Sequence, residues 1–308
     1  MKQVVVLSGK GGTGKTSLVA AFAHLAATDH RSNSPSAGRM RLVLVDADVD
    51  ASNLELVLQP RQLEAHDFIG GELAVVDPAL CSGCGVCVTM CRFDAISIPS
   101  AAEAMYAKVD EFACEGCAAC VYACPQQAIQ MQPQIAGRWF RSATPYGPLF
   151  HAALRPGAEN SGKLVTLVKQ MARLLALDEQ YPLVLVDGPP GIGCPVISAA
   201  AGADLALIVT EPSVAGLHDL ERAWSVTHHF NIPAVVVANK ADIYPQGSHQ
   251  IELFCGEKGV PLLGMIPFDL AVTHAMANGR PVTTVNCPAS QAISAIWDRL
   301  LEQLGNPE

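Results

Sequence analysis

The sequence predicts an α/β fold, a mainly parallel sheet covered by helices on both faces, with a smaller cysteine-rich module inserted into it. Short apolar runs ending in turn or acidic residues recur at Val4–Leu7, Leu42–Val45, Leu183–Val186, Leu205–Val209, Ala234–Ala238 and Pro261–Ile266. Helical patterns such as 17–28 and 161–177 alternate with them. Strands that alternate with helices pair in parallel and are buried on both faces. The second observation is a repeat: residues 81–98 recur at 114–131, and all four cysteines of each copy match.

Length and composition agree with this division. The chain has 308 residues, and removing a cysteine-rich stretch of about 60 residues leaves a length that one α/β domain fills. The expected domains are therefore 1–71, an insert at 72–133, and 134–308. Half of the residues are hydrophobic and 16% are charged, which supplies a core and argues against disorder. The polar, serine-rich stretch 31–39 reads as a surface loop between the first helix and the second strand.

The first strand runs directly into Gly9-Lys10-Gly11-Gly12-Thr13-Gly14-Lys15-Thr16-Ser17. Consecutive glycines let backbone amides face inward as an anion nest, and the helix starting near Lys15 adds its positive end. Lys15 would reach the terminal phosphates and Thr16 would ligate Mg²⁺, so residues 9–17 form the expected nucleotide-binding loop.

The cysteines supply a second chemistry. Cys81-x2-Cys84-x2-Cys87-x3-Cys91 and Cys114-x2-Cys117-x2-Cys120-x3-Cys124-Pro125 have the spacing that presents thiolates to a pair of [4Fe-4S] clusters, the pattern of a bacterial-type α+β ferredoxin module. A zinc site is the alternative for four thiolates, though it does not explain the repeated rhythm. Two-cluster ferredoxins exchange their last cysteines. The expected sets are thus Cys81, Cys84, Cys87 and Cys124 on one cluster, and Cys91, Cys114, Cys117 and Cys120 on the other. Arg92 stands where Pro125 follows the fourth cysteine of the second run.

Lys10 marks the loop further. Gly-Lys-Gly-Gly-Thr-Gly-Lys-Thr resembles the deviant Walker A loop of the MinD/ParA, Mrp and nitrogenase iron protein superfamily of P-loop NTPases. Val43-Leu44-Val45-Asp46-Ala47-Asp48 is similar to its switch I, and 183–191, containing Asp187-Gly188-Pro189-Pro190-Gly191, to its Walker B and switch II. The segments 159–163 and 188–195 resemble in particular the MinD-like ATPases that carry an inserted ferredoxin domain. The resemblance implies that Asp48 orients the attacking water, that Asp187 joins the Mg²⁺ shell, and that two ATP-bound chains pair as a homodimer with Lys10 crossing to the partner's phosphates. Lys10, Lys15 and Asp48 would then carry the hydrolysis chemistry, by neutralising charge and placing a water rather than through a covalent nucleophile.

Asn239-Lys240-Ala241-Asp242 resembles the guanine-binding signature of GTPases, while the remainder resembles ATPases. ATP is therefore the expected nucleotide, with Asn239 and Pro267, from the loop Ile266-Pro267-Phe268-Asp269, as base contacts. Asp242 reads equally as a turn or helix-cap residue. Cys194 lies seven residues after Asp187, the offset of one cluster ligand in the nitrogenase iron protein. A ligand or redox-relay role is open for it beside an ordinary structural one, and the second iron-protein ligand has no counterpart. Cys255 and Cys287 read as small buried apolar residues. The paired C-terminal cysteines of Mrp-type carriers are absent.

The net charge is −9, of which 72–133 contribute −5: Glu72, Asp77, Asp94, Glu103, Asp110, Glu111 and Glu115 against Arg92 and Lys108. Such a field disfavours nucleic acid and suits a basic redox partner. With no apolar window of membrane-spanning length and no cleavable leader, the chain is expected in the cytoplasm, without a membrane anchor. The leading expectation is an ATPase whose nucleotide state is coupled to electron transfer. The alternatives are an iron-sulfur assembly or carrier ATPase, and a redox-sensing positioning ATPase.

Overall fold

A computed structural model describes residues 1–28, 40–99, 105–157 and 161–305. The expected loop at 31–39 lies outside the described residues, as do 159 and 160 of the segment 159–163. The chain opens with β1 (Lys2–Ser8), α1 (Lys15–Thr28), β2 (Leu42–Asp46) and α2 (Leu54–Leu58). It continues through β3 (Arg61–Val76), α3 (Val86–Met90), β4 (Ile96–Ser97), β5 (Lys108–Val109), α4 (Ala119–Ala123), β6 (Ile129–Thr144) and β7 (Gly147–Leu154). Then come α5 (Ser161–Asp178), β8 (Leu183–Pro190), α6 (Cys194–Ala200), β9 (Leu205–Thr210), α7 (Val214–His229), β10 (Ala234–Asn239), α8 (Pro245–Lys258), β11 (Leu262–Ile266), α9 (Leu270–Ala277) and α10 (Pro288–Leu304).

Two compact units result. One comprises Met1–His66, Trp139–Ala153 and Ser161–Glu308, the other Asp67–Arg138 and Leu154–Asn160. The second departs from the expected limits of 72 and 133: the chain enters it within β3 and leaves it within β6, strands of 16 residues each, and returns to it at the end of β7, in the segment expected to belong wholly to the first unit.

In the first unit the apolar runs become a sheet. Strand order is β11-β10-β9-β1-β8-β2-β7-β6-β3. Pairing is parallel between β10 and β11, β10 and β9, β1 and β9, β1 and β8, β2 and β8, and β2 and β7. The six expected strands are all present. Pro261 stays outside β11: without an N–H it cannot donate to a ladder, and it contributes only its carbonyl, which accepts from Val236 N–H at 2.8 Å.

Successive strand residues point to opposite faces, so each buried strand feeds two layers. Val4, Val6, Leu207 and Val209 pack on one face with Phe22 of α1 and Trp297 of α10, whose rings lie 5.0 Å apart. Ile208 and Val236 face the other way against Leu220 of α7 and Ile251 of α8. Trp297 is 1% exposed, and truncating it to Ala is expected to cost about 3–5 kcal/mol.

The second unit keeps its own small core of Ala74, Cys87, Ile96, Ala107, Cys120 and Ile129. Its repeat is visible in the backbone. Gly83 and Gly116 share φ of 66° and 64°, Gly85 and Ala118 of 79° and 62°, Asp94 and Gln127 of 51° and 50°. Two matching bonds cross between the copies: Asp77 N–H donates to Ala128 O at 2.7 Å, and Asp110 N–H to Ala95 O at 2.8 Å. The duplicated halves are therefore interlocked by equivalent hydrogen bonds. No helix among the described residues is long and apolar enough to cross a membrane.

Candidate functional site

The nucleotide-site candidates gather where parallel strands end at their carboxyl edge, the usual place for ligands in a doubly wound sheet. β1 delivers Ser8 and the loop that follows, β2 delivers Asp46 and Asp48, β8 delivers Asp187, and β10 delivers Asn239. Lys15, the first residue of α1, is buried, and its Nζ donates to Ser8 Oγ at 2.7 Å. The Ser8 hydroxyl in turn donates to the Lys10 carbonyl at 2.7 Å, closing the loop on its own lysines. Burial lowers the Lys15 pKa, while Asp187, Asp48 and Asp46 work to raise it.

The carboxylates facing Lys15 are unlike one another. Asp46 Oδ2 accepts from Ser52 Oγ at 2.8 Å, Leu54 N at 3.0 Å and Asn53 N at 3.1 Å, and its Oδ1 accepts from Asp48 N at 3.1 Å. It organises the turn between β2 and α2. Asp187 accepts a hydrogen bond from the Thr16 side chain, but its Oδ1 is buried with no partner. Burial and then the neighbouring Asp46 push its pKa up to about 8. A buried, half-satisfied carboxylate beside a threonine hydroxyl fits a divalent cation, which would supply the missing charge. Asp48, half-buried, has its pKa raised by burial, opposed by a backbone bond from Ala51 and by Lys15.

The loop itself is braced from β10. Asn239 Nδ2 donates to Thr13 O at 2.7 Å, and Asn239 Oδ1 accepts from Lys240 N at 2.9 Å. Gly14 has φ of 97°, and a Cβ there would lie 2.4 Å from Asn239 Nδ2. A glycine is required at this place on both counts. Asn239 thus has a structural task, leaving one N–H and one lone pair for any base. Asp242 Oδ1 accepts from Phe268 N at 2.6 Å, and Ala241 N–H donates to Ile266 O at 2.9 Å. These two bonds bring the half-buried Pro267 beside the 239–242 segment. Thr13 Oγ1 is buried without a partner, as suits a loop that folds around an anion.

Sequence reasoning missed Glu211, the residue after β9. Its Oε1 lies 2.5 Å from Lys10 Nζ and its Oε2 3.4 Å from Lys240 Nζ. Lys240 Nζ also donates to Gly12 O at 3.2 Å. The one signal available was an acid at the end of a buried strand, in Thr210-Glu211-Pro212.

In the second unit, two cavities divide the eight cysteines. One is lined by Cys81, Cys84, Cys87 and Cys124, the other by Cys91, Cys114, Cys117 and Cys120. Three cysteines of each run meet the fourth of the other. Ala128 N–H donates to Cys124 Sγ at 3.3 Å, an orientation that suits a thiolate. Among the described residues no group of three or more His, Cys, Asp or Glu side chains is placed to hold a single metal ion; the sulfurs stand around the two cavities. The three remaining cysteines differ from one another. Cys194 is exposed at the first residue of α6, and Cys255 is buried, its thiol pushed up to about 11 by burial. Cys287 is half-buried and caps α10, its Sγ accepting from Ser290 N at 3.4 Å.

Comparisons with known proteins bear on the family and the fold. The family model described as the CobQ/CobB/MinD/ParA nucleotide binding domain matches residues 4–282. An uncharacterized protein of Methanocaldococcus jannaschii is 30% identical over 300 residues, 97% of this chain and 96% of that one. An iron-sulfur cluster carrier protein of the same organism is 28% identical over 134 residues, 39% of this chain and 46% of its own. The septum site-determining protein MinD of Pyrococcus horikoshii, solved with Mg-ADP, shares the fold with a TM-score of 0.57 at 17% identity, covering 100% of this chain and 98% of that one.

Proposed function

The chain belongs to the CobQ/CobB/MinD/ParA nucleotide-binding family, and from that premise we propose that it is an ATP-hydrolysing iron-sulfur protein in which nucleotide state is coupled to electron transfer through two [4Fe-4S] clusters. The observation that carries the reading is the division of eight cysteines into two four-sulfur cavities within a chain that also holds the phosphate loop. When bound, the clusters supply one-electron chemistry. The surrounding protein fixes the sulfurs, burying Cys87 and Cys120 and leaving Cys84 and Cys117 exposed.

On the nucleotide side, Thr16 and Asp187 would hold Mg²⁺, and residues 9–17 would bind the phosphates through backbone amides. Lys15 and Lys10 neutralise charge that develops on the phosphoryl oxygens, and Asp48 orients the water. Asn239 and Pro267 border the base, and two ATP-bound chains pair. Coupling has a covalent route. Asp46 fixes the amide of Leu54 at the start of α2, and the chain continues from α2 into β3, which runs on to Ala74 in the cluster core. A ligand that binds two arrangements of this segment unequally shifts the balance between them.

An assembly or carrier role is the second reading. It is favoured by the relative named an iron-sulfur cluster carrier, and by the exposure of one cysteine in each set, Cys84 and Cys117. An anaerobic EPR redox titration, without nucleotide and then with a Mg²⁺-bound nonhydrolysable ATP analogue, separates the two. Coupling predicts a potential shift approaching ~59 mV, about 1.4 kcal/mol for one electron. No shift, together with passage of iron and sulfide to an apo-acceptor, would establish the carrier.

A further inference from the structure

Lys10 is held within its own chain. Its Nζ meets Glu211 Oε1, the other carboxylate oxygen lies 3.4 Å from Lys240 Nζ, and Lys240 donates to the Gly12 carbonyl at 3.2 Å. Four groups therefore form a chain of contacts that starts at Lys10 and returns to Gly12 of the same loop. Glu211 is well anchored: Ser213 N–H donates to its carbonyl at 2.8 Å, and Gly216 lacks the Cβ that would lie 2.2 Å from that oxygen. The carboxylate side chain is 18% exposed, against 38% for Lys10 and 33% for Lys240. Partial burial opposes ionisation of Glu211, yet its bonds to Lys10 and Lys240 leave its pKa below the ordinary value.

We propose that Glu211 is a positioning residue that parks Lys10 in cis, so that Lys10 can engage the phosphates of a second chain only by exchanging this carboxylate for them. The inference rests on the reading that Lys10 crosses between paired chains. A carboxylate and a triphosphate compete for one ammonium group. A half-exposed ion pair is weak enough for the more highly charged triphosphate to displace, and strong enough to disfavour pairing without it. Lys240 completes the device. Once Lys10 departs, Lys240 still compensates Glu211, so no buried carboxylate is left unpaired. Glu211 thereby sets the protein concentration at which nucleotide drives pairing.

The test uses the full holo-chain under anaerobic conditions with Mg²⁺ and a nonhydrolysable ATP analogue, dimer formation being followed by sedimentation. Glu211→Gln, nearly isosteric, should lower the concentration for half-maximal dimer by about threefold to fivefold. Glu211→Asp, which keeps the charge but loses reach, should fall between it and the wild type. Binding of a fluorescent ATP analogue to the dilute monomer should stay within about twofold of wild type, which reports an intact site. In a Lys10→Ala background, Glu211→Gln should have no effect on pairing. An unchanged midpoint for Glu211→Gln, or an equal shift in the Lys10→Ala background, overturns the proposal while leaving the role of Lys10 standing. A Lys10→Ala chain that dimerises like the wild type overturns the crossing reading itself, and the parking role with it.

Discussion

Asp46 and Asp187 stand in register on neighbouring parallel strands, both buried, yet only Asp46 has its oxygens filled by donors. The Ala47 N–H donates to the Asp187 carbonyl at 2.9 Å, which locks the two strand ends together. In this poorly hydrated site Asp46 opposes ionisation of Asp187 more than Lys15 favours it. The pair therefore divides its work: Asp46 shapes the turn into α2, and Asp187 keeps an open oxygen. That asymmetry makes Asp187 the residue a metal ion would complete.

The sign of the resulting pH dependence follows. The folded pKa of Asp187 is raised above the ordinary carboxylate value, so between that range and about 8 the native chain binds a proton that the unfolded chain has lost. The contribution of Asp187 to stability without nucleotide therefore falls as pH rises through this window. Asp187→Asn removes the penalty, and the variant is expected to exceed the wild type by about 2–3 kcal/mol at pH 8.5, with little difference near pH 4. Urea unfolding of both proteins across this range provides the check, and adding Mg²⁺ with nucleotide should stabilise the wild type more at the alkaline end. A constant difference between the two proteins would show that Asp187 is ionised in the native state throughout.

Asn239 offers a cleaner separation of structure from recognition. Because its amide braces Thr13 O and fits against Gly14, Asn239→Ala should weaken ATP and GTP together, by about tenfold each, the value of one lost buried hydrogen bond. Gly14→Ala should abolish binding of both, since the new methyl meets Asn239 and the backbone is left-handed there. Equilibrium binding of fluorescent derivatives of both nucleotides measures the ratio. Selective loss of ATP would make base contact, rather than the loop brace, the main task of Asn239.

Much of this architecture was legible in the residues because buried parallel strands leave continuous apolar runs, and β1, β2, β8, β9, β10 and β11 each do so. β3 and β6 left no such mark. β3 alternates irregularly through Arg61, Glu64, His66 and Asp67, holds Gly70 and Gly71, and buries few of its side chains. β6 contains Pro133, which a strand reading discounts. The phosphate loop and cysteine runs were legible because chemistry fixes their spacing. Glu211 and the Asn239 brace were not, because each acts on a segment hundreds of positions away and only the fold brings them together.

Lys169 makes a separate stability prediction. It is buried on α5, and its Nζ donates to the carbonyls of Ser198 at 2.6 Å, Ala199 at 2.7 Å and Ala201 at 2.7 Å, satisfying the C-terminal end of α6. Lys169→Met fills the same space but supplies no donor. It should cost about 2 kcal/mol, seen as a lower urea midpoint at unchanged slope, with faster amide exchange in α6. If the midpoint holds, water reaches those carbonyls and the lysine is dispensable to the fold.

The cysteine division makes the sharpest prediction. If each cluster takes three cysteines from one run and one from the other, Cys124→Ser must remove the same cluster as Cys81→Ser, and Cys91→Ser the same one as Cys114→Ser. Each single variant should lose about four of about eight irons. The pair Cys81→Ser and Cys124→Ser should lose no more than either alone, whereas Cys91→Ser with Cys124→Ser should lose both clusters. Ligation confined to each run predicts instead that Cys81 and Cys91 act together. Anaerobic iron content with EPR of the reduced protein distinguishes these patterns. The crossed bonds from Asp77 to Ala128 and from Asp110 to Ala95 favour the exchanged sets, because they hold the fourth cysteine of each copy beside the first three of the other.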